Sequence, residues 1–345
     1  MKKVAIVCNS NNAFFQSYYG ALLDNINQDN VSFYGNKIFS KSREKFSYTI
    51  SSYTNNAFLD IYSIIDFIIA PIIACRALFK GIKVIHFISA HPSNLPLALF
   101  ARVFQIRTFF TIHDLIPHPD QKSKLVSLYN KVIVGFLATD IVVHNKEYLK
   151  QIKSKSSHFI QLSGYKEDFI EKDFNRKLLF FGRIEPYKGI SNLFALAKRF
   201  QTEEMDWKIV IAGKGKLPQF DQTEIPNVEI FNDFISDSKL KEFHEECAFT
   251  ILPYDSASQS AVIIHSYAFA TPVIVYDVGA LADYVIDTKT GLVVKHNDFD
   301  TIVNFLKKMD TFSFKSFQKS VKSYFSDHFS DRVFAKDTLR LYSEC

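Results

Sequence analysis

Cysteine, tryptophan and glycine are scarce in this chain, with four Cys, one Trp and 11 Gly among 345 residues. Cys8, Cys75, Cys247 and Cys345 lie far apart with no paired spacing, which argues against a disulfide framework or a zinc knuckle and fits a reducing compartment. The glycines form no G-x-G-x-x-G. The first apolar run, Val4–Cys8, leads into Asn9-Ser10-Asn11-Asn12-Ala13, which counts against a nicotinamide dehydrogenase. Long apolar runs are missing too. Val4–Cys8 is short for a signal-peptide core, so the expectation is a cytoplasmic protein. Ala57–Phe79 carries Asp60, Asp66, Pro71 and Arg76, and so predicts a buried or interfacial helix pair interrupted at the proline, not a membrane span. His86, His91, His113 and His118 fall near two strand ends without the spacing or the completing Cys or carboxylate of a known set, so no metal site is expected. No basic–aromatic nucleic-acid motif occurs either, which makes nucleic acid the weakest candidate partner.

What is present is apolar and alternating. Hydrophobic residues make up 47% and charged residues 22%, enough to bury two cores in a chain of this length. Short apolar runs predict strands at Val4–Cys8, Val31–Tyr34, Val84–Ile88, Thr108–Ile112 and Ile141–Val143, then Leu178–Phe181, Lys208–Ala212, Val228–Phe231, Phe249–Leu252 and Val273–Tyr276. Helical stretches separate them, which implies βαβ units and parallel sheets. The fold class expected is α/β, with two doubly wound, Rossmann-like domains. The division expected is 1–165, 166–325 and a C-terminal helix at 326–345 that either packs on a domain surface or crosses back to the first domain. Residues 1–165 hold 18 Lys+Arg against 9 Asp+Glu, and the remainder 23 against 27, so the halves differ in charge by sign. The basic first half suits an anionic membrane surface or a phosphorylated acceptor.

In open parallel sheets, ligands bind beyond the carboxyl ends of the strands. In the second half those positions are Gly182-Arg183, Gly213-Lys214-Gly215, Asn232-Asp233, Pro253-Tyr254-Asp255 and Asp277-Val278-Gly279, an edge rich in small and basic residues. Gly182 permits a tight turn, after which Arg183 and Lys188 can converge on one anion. The alternative is a pair of solvated loop cations. Ser258-Gln259-Ser260 opens a helix, and its backbone N–H groups suit an anion, although simple N-capping explains the hydroxyls as well.

The string Phe180–Gly189, the Ser258-Gln259-Ser260 loop, Thr271-Pro272-Val273-Ile274 and Thr290-Gly291-Leu292-Val293 resemble family 4 of the retaining glycosyltransferases, which have the GT-B fold. The likeness is strong from about residue 177 to 294 and thinner before it. It implies two Rossmann-like domains facing across a cleft, with the donor held mainly by the second. Arg183 and Lys188 match the family's diphosphate-binding pair, and His113, in Thr111-Ile112-His113-Asp114, matches the histidine near the donor sugar. Gly182, Gly213, Lys214, Asp233, Ser258, Gln259, Ser260 and His265 complete the expected donor site, and Asn11 and Asn12 the acceptor side. One departure stands out. The two glutamates often found eight positions apart in the family fall here on Ala257 and His265. Polysaccharide-assembly members that share the Ser-Gln-Ser form without them keep the enzymatic expectation, while His265 reads equally as a packing residue.

The expected activity is transfer of a hexose from a UDP- or GDP-sugar to a saccharide or a lipid-diphosphate-linked saccharide, with retention and without a metal cofactor, in cell-surface polysaccharide assembly. Its expected location is cytoplasmic, either free or peripheral on the inner membrane face. Two alternatives stay open: a nucleotide-sugar epimerase of the same fold, with Asp114 as its one carboxylate candidate, and a catalytically silent partner subunit.

Overall fold

Strands buried on both faces need near-continuous apolar sequence, and the central strands of this protein have it. The computed structural model describes residues 3–8, 20–22, 24–26, 31–36, 48–50, 61–91, 94–113, 124–152, 156–162, 166–257 and 261–344. The chain divides into two units, Met1–Gly164 with Asp331–Cys345, and Tyr165–Ser330.

The first unit is built on β1 (Lys3–Cys8), β2 (Val31–Asn36), β3 (Tyr48–Ile50), β4 (Ile82–Phe87), β5 (Arg107–Ile112), β6 (Asp140–Val143) and β7 (Ser156–Phe159). They form one parallel sheet in the order β3-β2-β1-β4-β5-β6-β7. Helices α1 (Ile61–Phe79), α2 (Asn94–Val103) and α3 (Lys124–Val132), the last continuing into a π-helical turn at Ile133–Leu137, lie on one face of it, and α4 (Lys146–Gln151) precedes β7. Their inward side chains, among them Ala74, Ala77, Leu97, Ala98 and Ile133, pack on Ile85, Phe87, Phe110 and Ile141. Two expectations change here. Strands β3 and β7 are additions, short and at the sheet's two edges. The helix pair at 57–79 is a single helix from Ile61, with Pro71 inside it. A proline in a helix costs about 3 kcal/mol. Burial of Ala70, Ile73, Ala74 and Ala77 outweighs it, at about 0.8 kcal/mol per buried methylene.

The second unit contains β8 (Lys177–Phe181), β9 (Lys208–Ala212), β10 (Val228–Phe231), β11 (Phe249–Leu252), β12 (Val273–Tyr276) and β13 (Gly291–Val294), also all parallel, in the order β10-β9-β8-β11-β12-β13. Strand β13 was not among the expected strands. Around the sheet run α5 (Ile190–Thr202), α6 (Asp237–Glu246), α7 (Ala261–Ala268), α8 (Phe299–Lys307) and α9 (Thr311–His328). Side chains set several helix starts by accepting from free amides: Ser236 from Lys239 N at 3.3 Å, Asp298 from Thr301 N at 3.0 Å and Asp310 from Ser313 N at 2.8 Å.

The last helix, α10 (Asp331–Ser343), belongs to the first unit. Its fully buried Tyr342 shares a 2.6 Å hydrogen bond between Oη and His86 Nδ1, and stands edge-on to Phe109 at 6.0 Å. His86 Nε2 completes its bonding on Thr111 Oγ1 at 2.8 Å.

Candidate active site

In the second unit the chain leaves β8 toward β9 on one side and returns through β11 toward β12 on the other. The crevice at the carboxyl ends of β8 and β11 is therefore the topological switch point, where such sheets bind ligands. Four loops meet at this edge. Gly182 N donates to Ala212 O at 3.0 Å, Ile184 N to Lys214 O at 3.0 Å, and Asp255 N to Tyr187 O at 2.8 Å. The contacts are too close for side chains. A Cβ on Gly213 would lie 1.8 Å from Gly182 O, and one on Gly189, which also has a left-handed φ of 68°, would lie 1.9 Å from Pro253 O. Asn192 Nδ2 donates to Pro253 O at 3.1 Å and to Asp255 Oδ1 at 3.0 Å, and His296 Nε2 reaches the same carboxylate oxygen at 2.8 Å.

Lys188 ends the short turn Pro186–Lys188 and points back under the strand ends. It is 8% exposed, its Nζ sits 5.5 Å from the centre of the Tyr254 ring, and a Cβ on Gly182 would be 3.3 Å from that nitrogen. Among the described residues no carboxylate forms an ion pair with it. Burial, and then the charge of Arg183, lower its pKa from 10.5 to about 8. Arg183 itself points outward, its side chain 64% exposed, with Nη1 3.5 Å from Glu185 Oε1. A buried ammonium held against a tyrosine face, with a guanidinium at its rim, is an arrangement that stabilises an anion.

The structure thus brings Gly182, Arg183, Lys188, Gly213 and Lys214 together. His265 is on α7, where its ring packs 5.7 Å from Phe181 and 5.3 Å from Phe269. Desolvation lowers its pKa to about 4, which favours the neutral ring. Asp233 follows the edge strand β10, two strands from β8, and its Oδ1 accepts from Phe234 N at 2.7 Å in a local turn. Ser258, Gln259, Ser260, Asn11, Asn12 and Asp114 lie outside the described residues. In the first unit His113 follows β5. Its Nε2 donates to Ile88 O at 3.0 Å, and its ring centre is 5.1 Å from that of His144. His144 donates from Nδ1 to Ile160 O at 2.8 Å, and burial pushes its pKa down to about 3.

Asn192 and His296 had no role in the sequence-based reading, and Tyr254 entered it only within the edge segment Pro253-Tyr254-Asp255. Tyr254 was legible as the second residue past a strand, but its partner lies 66 positions earlier. Among the described residues no three His, Cys, Asp or Glu side chains stand close enough to hold a metal ion. Asp298-Phe299-Asp300, an Asp-x-Asp string, is committed to structure: Asp298 caps α8, and Asp300 pairs with Arg199 at 2.8 Å.

The family model of glycosyl transferases group 1 matches residues 165–310, the second unit and this edge. An uncharacterized glycosyltransferase of Methanocaldococcus jannaschii is 25% identical over 234 residues, which is 64% of this chain and 63% of that protein. The chain thus matches less than two thirds of the length of this curated relative. Among solved structures, sucrose-phosphate synthase from Thermosynechococcus elongatus superposes with a TM-score of 0.69 at 16% identity, covering 100% of this chain and 99% of the other. The Anabaena HepE protein in complex with UDP-glucose superposes at 0.71 and 12% identity, covering 100% of both. The fold is that of the GT-B glycosyltransferases, and residues 165–310 match the glycosyl transferases group 1 model.

Proposed function

We propose that this chain is a retaining glycosyltransferase that moves a hexose from a nucleotide-diphosphate sugar to a saccharide or lipid-linked saccharide in cell-surface polysaccharide assembly. The observation that carries this reading is Lys188, a buried cation without a carboxylate partner among the described residues, at the switch point of a glycosyl transferases group 1 domain. A diphosphate placed there would accept from the ammonium and from Arg183. Charge-assisted contacts of this kind contribute about 1.5–3 kcal/mol each. Their contribution grows as the sugar leaves and the diphosphate gains charge, and stabilisation of developing charge is commonly the largest catalytic effect. The complex of HepE with UDP-glucose supports a UDP-sugar as donor. His113 is proposed to stand near the donor sugar, its ring oriented by the hydrogen bond from Nε2 to Ile88 O.

The cations make a divalent metal unnecessary in this reading, so turnover should persist after exhaustive chelation. Complete loss, restored by magnesium or manganese, would overturn the metal-free mechanism. The donor assignment is tested by calorimetric titration of wild type and Lys188→Met with UDP-glucose and a GDP-sugar. Equal affinity in both proteins would remove the diphosphate site from this edge. Donor binding in wild type without transfer to any saccharide or lipid-linked acceptor would mark a silent subunit.

A further inference from the structure

We propose that the outer surface of α1, α2 and the α3–π segment docks on an anionic lipid bilayer. The inference concerns the first unit alone and is independent of the donor chemistry. On α1, Ala70, Ile73, Ala74 and Ala77 are buried on the sheet, and the opposite stripe consists of Ile72, Arg76 and Phe79, at i, i+4 and i+7. A solvated helix carries polar residues on that stripe. Here Phe79 is 90% exposed. Helix α2 repeats the composition with Leu99, Arg102 and Val103 outward, and the α3–π segment with Leu128, Lys131 and Phe136. Val103 is 65% and Phe136 71% exposed. Arg102 Nη1 donates to Phe136 O at 2.8 Å, so the last two surfaces are continuous, and α1 packs beside α2.

Seven of the twelve exposed large hydrophobic side chains among the described residues lie on these three elements. Their flanking charges are all positive. Arg76, Lys80, Arg102 and Lys131 are exposed, and the sequence holds no Asp or Glu from 67 to 113 or from 121 to 139. Apolar side chains beside cations and without acids match a headgroup–acyl boundary, where the rings enter the interface and the cations meet phosphates. A second copy on this face would set cation against cation about a two-fold axis, which disfavours self-association. No helix among the described residues is long and apolar enough to cross a membrane, so the helices would lie along it.

The experiment is sedimentation of the full chain with vesicles of phosphatidylcholine, with and without one-third phosphatidylglycerol. Binding is expected to the anionic vesicles at low salt, with release at high salt. Arg76→Glu with Lys80→Glu should lower the partition by about thirtyfold or more, and Phe79→Ser with Phe136→Ser by about tenfold or more. Both variants should keep the wild-type melting temperature and UDP-glucose affinity, because the replaced side chains are exposed. Arg176→Glu with Lys208→Glu, on the second unit, should leave partition unchanged. The proposal is overturned by no binding at low salt, by equal binding to neutral vesicles, by undiminished binding of both first-unit variants, or by a dimer in solution that Phe79→Ser with Phe136→Ser dissociates.

Discussion

Lys188 links affinity and stability in opposite directions. Its folded pKa of about 8 lies below the unfolded value of 10.5. The folded protein therefore loses this proton first, and the destabilisation is fully present below pH 8 and fades as pH rises toward 10.5. Lys188→Met should raise the unfolding free energy at pH 7 by about 1–3 kcal/mol. It should also weaken nucleotide-diphosphate binding by about tenfold to a hundredfold. Wild-type donor affinity should fall as pH rises through 8, and the variant's smaller affinity should stay flat across that range. Calorimetric titrations between pH 7 and pH 9, with thermal melts at pH 7, check both halves. A variant that melts at or below the wild-type temperature and binds donor normally would show that Lys188 is merely a packing residue. Arg183→Ala, with its side chain largely in solvent, should weaken donor binding without moving the melting temperature.

At the scale of elements, the loops are held by backbone in contact with backbone. Gly189→Ala places a Cβ against Pro253 O in a left-handed residue, so it should destabilise the second unit by about 2–4 kcal/mol and reduce donor binding with it. Gly135→Ala is the control, since nothing lies within 4 Å of its Cβ and the residue is helical. It should be neutral or stabilise by about 0.5–1 kcal/mol. Urea melts of the two variants decide this, and equal effects would mean that the close approach at Gly189 can relax. The same physics decides what the sequence could reveal. Central strands such as β9 and β12 are legible because both faces are buried and their residues are apolar without interruption. Strand β7, Ser156-Ser157-His158-Phe159, pairs on one side only and can be polar, so no apolar run marks it. Gly182, Arg183 and Lys188 were legible because one short loop carries them. Asn192, His296 and the contact of Tyr254 with Lys188 were not, since only the three-dimensional fold brings them to that loop. The helix pair was wrongly split because a proline signal is local, while the burial that overrides it is not.

Across the whole molecule, three buried imidazoles and one half-buried make the fold sensitive to acid. Burial holds His86 and His144 in the first unit near 3, and His265 in the second near 4, with His244 also well below its ordinary value. Unfolded histidines titrate near 6.5, so below that pH the unfolded chain binds protons that the folded chain does not. Stability is thus complete above pH 6.5 and lost as pH falls. The slope approaches about 1.4 kcal/mol per pH unit for each histidine. Denaturant midpoints measured from pH 7.5 to pH 5 should fall steadily, and a flat profile would show that the rings are protonated in place. His86→Gln with His144→Gln should flatten the first unit's share of the slope.

The return of α10 to the first unit also fixes an order of events in time. Tyr342 closes over His86 across 256 positions of sequence, and the entire second unit is synthesised between them. At about 5–20 residues per second, a ribosome needs roughly 13–50 s to cover that interval. From Phe159 onward the first sheet has all its strands but not the aromatic side chain that packs on His86 and Phe109. The second unit, encoded without interruption, can reach its native state earlier. On stalled nascent chains, protease resistance should therefore appear in residues 165–330 before it appears in residues 1–164, although the latter leave the ribosome first.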